Sequence, residues 1–197
     1  MSNKVKFGLK NLYIAPVTEG EGNAITFGTP VSWPGSVSLT MEPQGDTSAF
    51  YADDGKYYVT TSNAGYDVTL ETALVPDWFT EQYLGETVDS DGNLVEQTID
   101  TPEKFAALFE FTGDKKAMRH CLFYCQASRP TIEGETKGES AEVKTESISF
   151  NAMAIPGTNI IKKRSTDNTD ATAYNNWYQT VTIPEFTTEG IPEEGGE

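Results

Sequence analysis

A period-two alternation of apolar and polar residues constrains this chain more than any other feature. Val68, Leu70, Thr72 and Leu74 alternate with Asp67, Thr69, Glu71 and Ala73. Successive side chains of a strand point to opposite faces, so the run demands a sheet with one dry side and one wet side. Val37, Leu39 and Met41 repeat the pattern, and Ile148 and Phe150 point inward in a strand over 143–152. The opening residues 5–15 read as a strand, with a short one at 25–27. Phe105 to Phe111 is a nearly continuous apolar run, the mark of a strand buried on both faces. Residues 117–126 return as its antiparallel partner, with Met118, His120, Leu122 and Tyr124 on one face and Arg119, Cys121, Phe123 and Cys125 on the other. The clearest hairpin signal joins 56–61 to 66–74 through a turn at Ser62–Gly65.

Helical signals are few. Pro76 near the start, Asp77 and Glu81 in the opening turns and Gly85 at the end predict a short helix over 76–85. A second is expected over 171–178. Asp53-Asp54-Gly55 reads as a hairpin turn, and Asp89-Ser90-Asp91-Gly92-Asn93 as a plain turn. The expected fold is therefore mainly β, an antiparallel β-sandwich or partial barrel with one or two short flanking helices. A single domain over 1–184 is expected, with a mobile, charge-rich loop near 132–142. Residues 185–197 read as an acidic, flexible tail.

Thirty acidic residues against fourteen basic ones give a net charge of −16. A surface of that sign repels a nucleic acid backbone, which carries one negative charge per roughly 1.7 Å of duplex. No apolar run approaches the roughly 20 residues that a membrane helix needs, and the first 15 residues lack the apolar core of a signal peptide. Cys121 and Cys125 lie about 13 Å apart on a strand, too far to bridge, so reduced thiols are expected.

The residues offer no catalytic constellation. His120 is the sole histidine, and Cys121 beside it points to the opposite face of a strand. The 89–93 turn lacks the glutamate that closes a calcium loop, and its glycine comes early. The carboxylates single out no glycosidase pair. No enzyme, cofactor or metal site is expected.

Three blocks take the reading further: VKFGLKNLYIA at 5–15, EPQGDTSAFYADDGKYYVTTSNAGYDVTLETALVPDWF at 42–79 and FAALFEFTGDKKAMRHCLFYCQASRPTIEGETKGES at 105–140. In this order the chain resembles the major tail proteins of siphoviruses, the long-tailed phages with non-contractile tails. The resemblance implies a tail-tube β fold, six copies in a ring, and rings stacked into the channel through which DNA is delivered. It implies a virion protein, made in the host bacterial cytoplasm, whose partners are its own copies and other tail proteins, such as tape measure, tail-tip or terminator proteins. DNA would pass without specific binding, and no membrane is involved. Another tail component of similar fold (a baseplate hub or tail-end protein) and a carbohydrate-binding β-sandwich are the alternatives.

Within that setting Asp67, Thr69 and Glu71, with Glu142, Lys144 and Glu146, are lumen-facing candidates; the competing reading sets these faces on the tube exterior. Glu133, Glu135, Lys137 and Glu139 are candidates for an arm reaching the adjacent ring, or else an exposed loop. Lys162, Lys163 and Arg164 form a basic run that either faces solvent or meets a neighbour's carboxylates.

Overall fold

The computed structural model describes residues 3–132, 134 and 144–186. Thirteen strands succeed one another in these residues: β1 (Lys6–Glu19), β2 (Ile25–Phe27), β3 (Val31–Ser32), β4 (Ser36–Gln44), β5 (Thr47–Ala52), β6 (Gly55–Thr61), β7 (Gly65–Thr72), β8 (Thr87–Val88), β9 (Leu94–Val95), β10 (Lys104–Gly113), β11 (Met118–Ala127), β12 (Glu146–Met153) and β13 (Lys162–Arg164). Nine form one antiparallel sheet in the order β2-β1-β10-β11-β12-β7-β4, with β3 added to β1 and β13 to β11. The sheet curls until β4 packs near β1 but does not close into a barrel. The mainly β, antiparallel class expected from the alternation is the one observed.

The inner face of the curl holds Leu12, Ile14, Val68, Leu70, Phe105, Phe109, Ile148 and Phe150. Residues 77–84 plug its mouth. A turn of helix, α1 (Asp77–Phe79), runs into a wider turn over Thr80–Leu84, and Gly85 ends it in the left-handed region at φ +86°. Glycine takes that conformation without penalty. Phe79 and Tyr83 pack on Phe105 with ring centroids 5.5 and 5.3 Å away, and Trp33 lies 4.6 Å from Phe79. Each fully buried Phe or Leu contributes roughly 1.5–3 kcal/mol, so this aromatic plug anchors the fold.

A second cluster lies on the outer face of β1, β10 and β11. Ala15, Val17, Ala106, Leu108, Cys121 and Phe123 are covered there by Ile155, Trp177 and Val181 from the end of the chain. The covering segment includes α2 (Ala171–Asn175), whose Asp170 side chain caps Thr172 and Ala173. A buried clasp fastens it. Glu110 accepts from Arg119 at 3.1 Å, Asn11 at 2.7 Å and the Tyr178 hydroxyl at 3.1 Å, and Arg119 also donates to the Tyr174 carbonyl. Because β10 is buried on both faces, residues 105–111 are an apolar run broken only by Glu110.

Three expectations need correction. Asp53-Asp54-Gly55 is a hairpin turn, as its residues indicate, but Ser62–Gly65 does not close a second one. β5 pairs with β6, and residues 62–64 merely carry the ribbon into β7, with Ser62 and Ala64 donating to the Asp46 and Gln44 carbonyls. Asp53 and Asp54 both have positive φ, at +49° and +56°, as a tight two-residue hairpin turn requires.

Leu74 does not face inward. β7 ends at Thr72, and Leu74 is 63% exposed.

Strict alternation also fails in β11. Phe105 is opposite Cys125 while Ala107 is opposite Leu122, so the strand bulges. Tyr124 therefore joins Phe123 on the outer face, and Cys125 turns into the inner core. Burial pushes the Cys121 thiol up to about 12 and Cys125 upward as well, which keeps both as inert thiols.

Candidate assembly surface

The unburied side of β4, β7 and β12 is a polar field. Register sets three rows across it: Ser38, Glu71 and Ser147; Thr40, Thr69 and Ser149; Glu42, Asp67 and Asn151. Glu71 is half-buried and the other eight are exposed. None of the nine is basic and three are acidic. The field is ordered by its own hydrogen bonds. Glu71 accepts from Thr145 at 2.6 Å and from Ser38 at 3.0 Å, and Asp67 accepts from Gln44 at 2.6 Å. The bonds from Thr145 and then Ser38 hold the Glu71 carboxyl below its ordinary value, so it stays charged.

Asp67, Thr69 and Glu71 thus share one face, as alternation requires. Glu146 does not join them. It sits opposite Thr72, on the side of Ile148 and Leu70, and its carboxylate accepts from the Val75 backbone N–H at 2.6 Å. The cause is parity, since Glu146 is two residues from the inward Ile148. Lys144 is exposed just before β12. Glu142 lies outside the described residues, as do Glu133, Glu135, Lys137 and Glu139.

The basic run 162–164 forms β13 and splits by parity. Lys163 donates to the Thr182 carbonyl at 2.7 Å and lies over the Trp177 ring at 5.0 Å. It is held inside the outer cluster, where burial lowers its pKa. Lys162 lies over Tyr66 at 4.1 Å, and Arg164 is exposed opposite His120. Only Lys162 and Arg164 present charge outward.

Two features escaped the sequence. The polar rows on β4 and β12 become one field only through cross-strand register. The β5–β6 ribbon also projects beyond the sheet and pairs with no other described strand. Phe50, Tyr51, Tyr57 and Tyr58 on it are 61–75% exposed. The adjacent aromatic pairs Phe50-Tyr51 and Tyr57-Tyr58 about an Asp-Asp-Gly turn are the signal in the chain.

No protein-family model matches this chain, and no curated protein does either. Among solved structures the chain is similar to one described as the cryo-EM structure of the anti-feeding prophage cap (AFP tube terminating cap). The identity is 12% and the TM-score 0.47, over 79% of this chain and 87% of that one. A likeness of that size carries no weight in assigning a role. Among the described residues no helix is long and apolar enough to cross a membrane, and no cluster of His, Cys, Asp and Glu is arranged to hold a metal.

Proposed function

We infer that the chain is a structural, non-catalytic subunit of a phage-type tail tube, assembling as stacked hexameric rings around a channel for DNA. The observation that carries this reading is the acidic polar field on β4, β7 and β12, which backs onto a dry core and ends at the edge strand β4. A strand edge with unpaired N–H and C=O groups favours continuation by another strand. Continuation around a ring would bring equivalent fields into a closed, negative wall. Such a wall offers phosphates no cation to stick to, so DNA slides instead of binding.

The exposed aromatic ribbon supports the same reading. A two-stranded ribbon is marginally stable alone, and its four aromatics are of the type enriched at protein interfaces. Its fit is to a neighbouring subunit or another tail protein, in a virion. The likeness to siphovirus tail proteins in the sequence points the same way.

The test is negative-stain electron microscopy of the concentrated protein. Hollow rings or tubes with six-fold end views are the expected outcome. Single particles under every condition would remove the tube reading and favour a capping or hub component. Asp67→Lys with Glu71→Lys is expected to leave tails intact and slow DNA ejection, measured as the rate of dye-detected release from phage. Unchanged ejection would move the field to the exterior of the tube.

A further inference from the structure

Charge is segregated along β10. This strand runs from Lys104 to Gly113, about 30 Å at the usual rise. At its Gly113 end the chain gathers Lys4, Lys6, Lys115, Lys116 and Arg164. The Lys4 backbone N–H donates to Asp114 at 2.9 Å, and Asn3 bonds Lys115 and Lys116, which ties the chain start to this turn. Exposed in the same place are Val5 and Phe7, at 50% and 57%. Asp114 and Asp167 stand among them, and Lys6 and Lys116 lie over the Phe111 and Tyr174 rings at 4.8 and 3.8 Å.

The Lys104 end has the opposite character. Residues 86–100 pack there, with Asp91 in the turn of the hairpin β8–β9 and Glu86, Glu96 and Asp100 flanking it. Its cations are already engaged: Arg129 pairs with Glu96 at 2.6 Å, and Lys104 bonds Gln126. Burial raises the Glu86 carboxyl, and the neighbouring Glu96, Asp100 and Asp77 raise it further. Here too apolar side chains stand in the open: Val88 at 51%, Val95 at 38% and Ile99 at 79%.

We propose that the Gly113 end of one copy docks on the Lys104 end of the next, Val5 and Phe7 meeting Val88, Val95 and Ile99 inside rims of opposite charge. An apolar centre with a complementary polar rim is the anatomy of a specific interface. A single acidic partner would satisfy the first end and a basic one the second. A second copy of this chain satisfies both at once. The contact is head-to-tail, the kind that propagates into rings or filaments. It deepens the self-assembly reading above and rests on it.

The experiment is sedimentation equilibrium of the full chain, with two charge-reversal variants at exposed side chains, the fold of each checked by its melting temperature because Glu96 pairs with Arg129. Lys4→Glu/Lys115→Glu makes both ends acidic, and Asp91→Lys/Glu96→Lys makes both basic. Each variant alone is expected to weaken self-association at least tenfold, and an equimolar mixture of the two to regain the wild-type value. Phe7→Ser is expected to weaken it without being rescued by either charge variant. If the wild-type chain associates and both variants associate equally well, the end contact is overturned while self-assembly stands. If the wild-type chain is monomeric at every concentration, the self-assembly reading itself fails. Loss of binding to a different tail protein, with self-association untouched, would assign these ends to that protein and also overturn the proposal.

Discussion

The pair β10–β11 and the trio β4–β7–β12 belong to one sheet, yet they live in different solvents. β10 buries Phe105, Ala107 and Phe109 on one face and Ala106 and Leu108 on the other. β7 buries Val68, Leu70 and Thr72 and leaves Asp67 and Thr69 in water. Both are good strand sequences, so β propensity does not separate them. What separates them is whether another segment arrives to cover the second face. Residues 155–183 do so for β10 and β11, bringing Ile155, Trp177, Val181 and Ile183. Over β4, β7 and β12 no described segment does, and polar rows remain. One end of the sheet is thereby spent on stability and the other left open for contact.

The largest effect is expected from Phe105→Ala, which empties the centre of the aromatic plug. A loss of about 3–5 kcal/mol in urea unfolding is expected. A loss below about 1 kcal/mol would mean that the core of the double-covered pair is not as closely packed as its burial implies.

Glu110→Ala tests the clasp that holds the cover in place. It leaves Arg119 half of a buried ion pair, so about 3 kcal/mol should be lost. Since Tyr178 also bonds Glu110, tryptophan fluorescence from Trp177 in the cover should shift before the rest unfolds. A single transition unchanged from the wild-type chain would break the link between clasp and cover.

His120 provides a pH test of the same region. Its ring stacks on Phe109 at 5.2 Å, and burial, with the charges of Arg164, Lys162 and Lys6, lowers its pKa to about 4. The unfolded chain takes up this proton near pH 6.5 and the folded chain only near 4. The unfolded state therefore binds more protons between these values, and stability falls as pH drops through that window. The contribution is on the order of 3 kcal/mol. His120→Phe should remove this slope, seen by comparing melting temperatures of both chains at pH 4.5 and 7. Equal slopes would show the histidine to be solvated.

The smallest effect is expected on the wet side. Thr69→Ala, in the middle row of the field, should change stability by no more than about 0.5 kcal/mol, as exposed substitutions do. A larger loss would mean that this face is covered in solution.

Much of this was legible in the chain. Alternation at 66–72 sets which side of β7 is dry, because a strand offers only two faces, and it put Asp67, Thr69 and Glu71 together. The continuous run 105–111 required a strand covered twice, although nothing local said by what. Chain order alone could not pair β7 with β12 across more than seventy residues, and that pairing turns three short polar strings into one field. Parity counted from Ile148 already excludes Glu146 from that face.

What the sequence by itself determined is the strand content, the inward set on the regularly alternating strands and the sign of the surface, since these depend on side-chain type and period. Only the tertiary structure decided the rest. The bulge in β11 reverses Tyr124 and Cys125, and Lys163 is drawn under the cover while Arg164 stays out. Each of these depends on contacts between residues far apart in the chain, whose free energy is realised only when the sheet is assembled and the last segment laid across it.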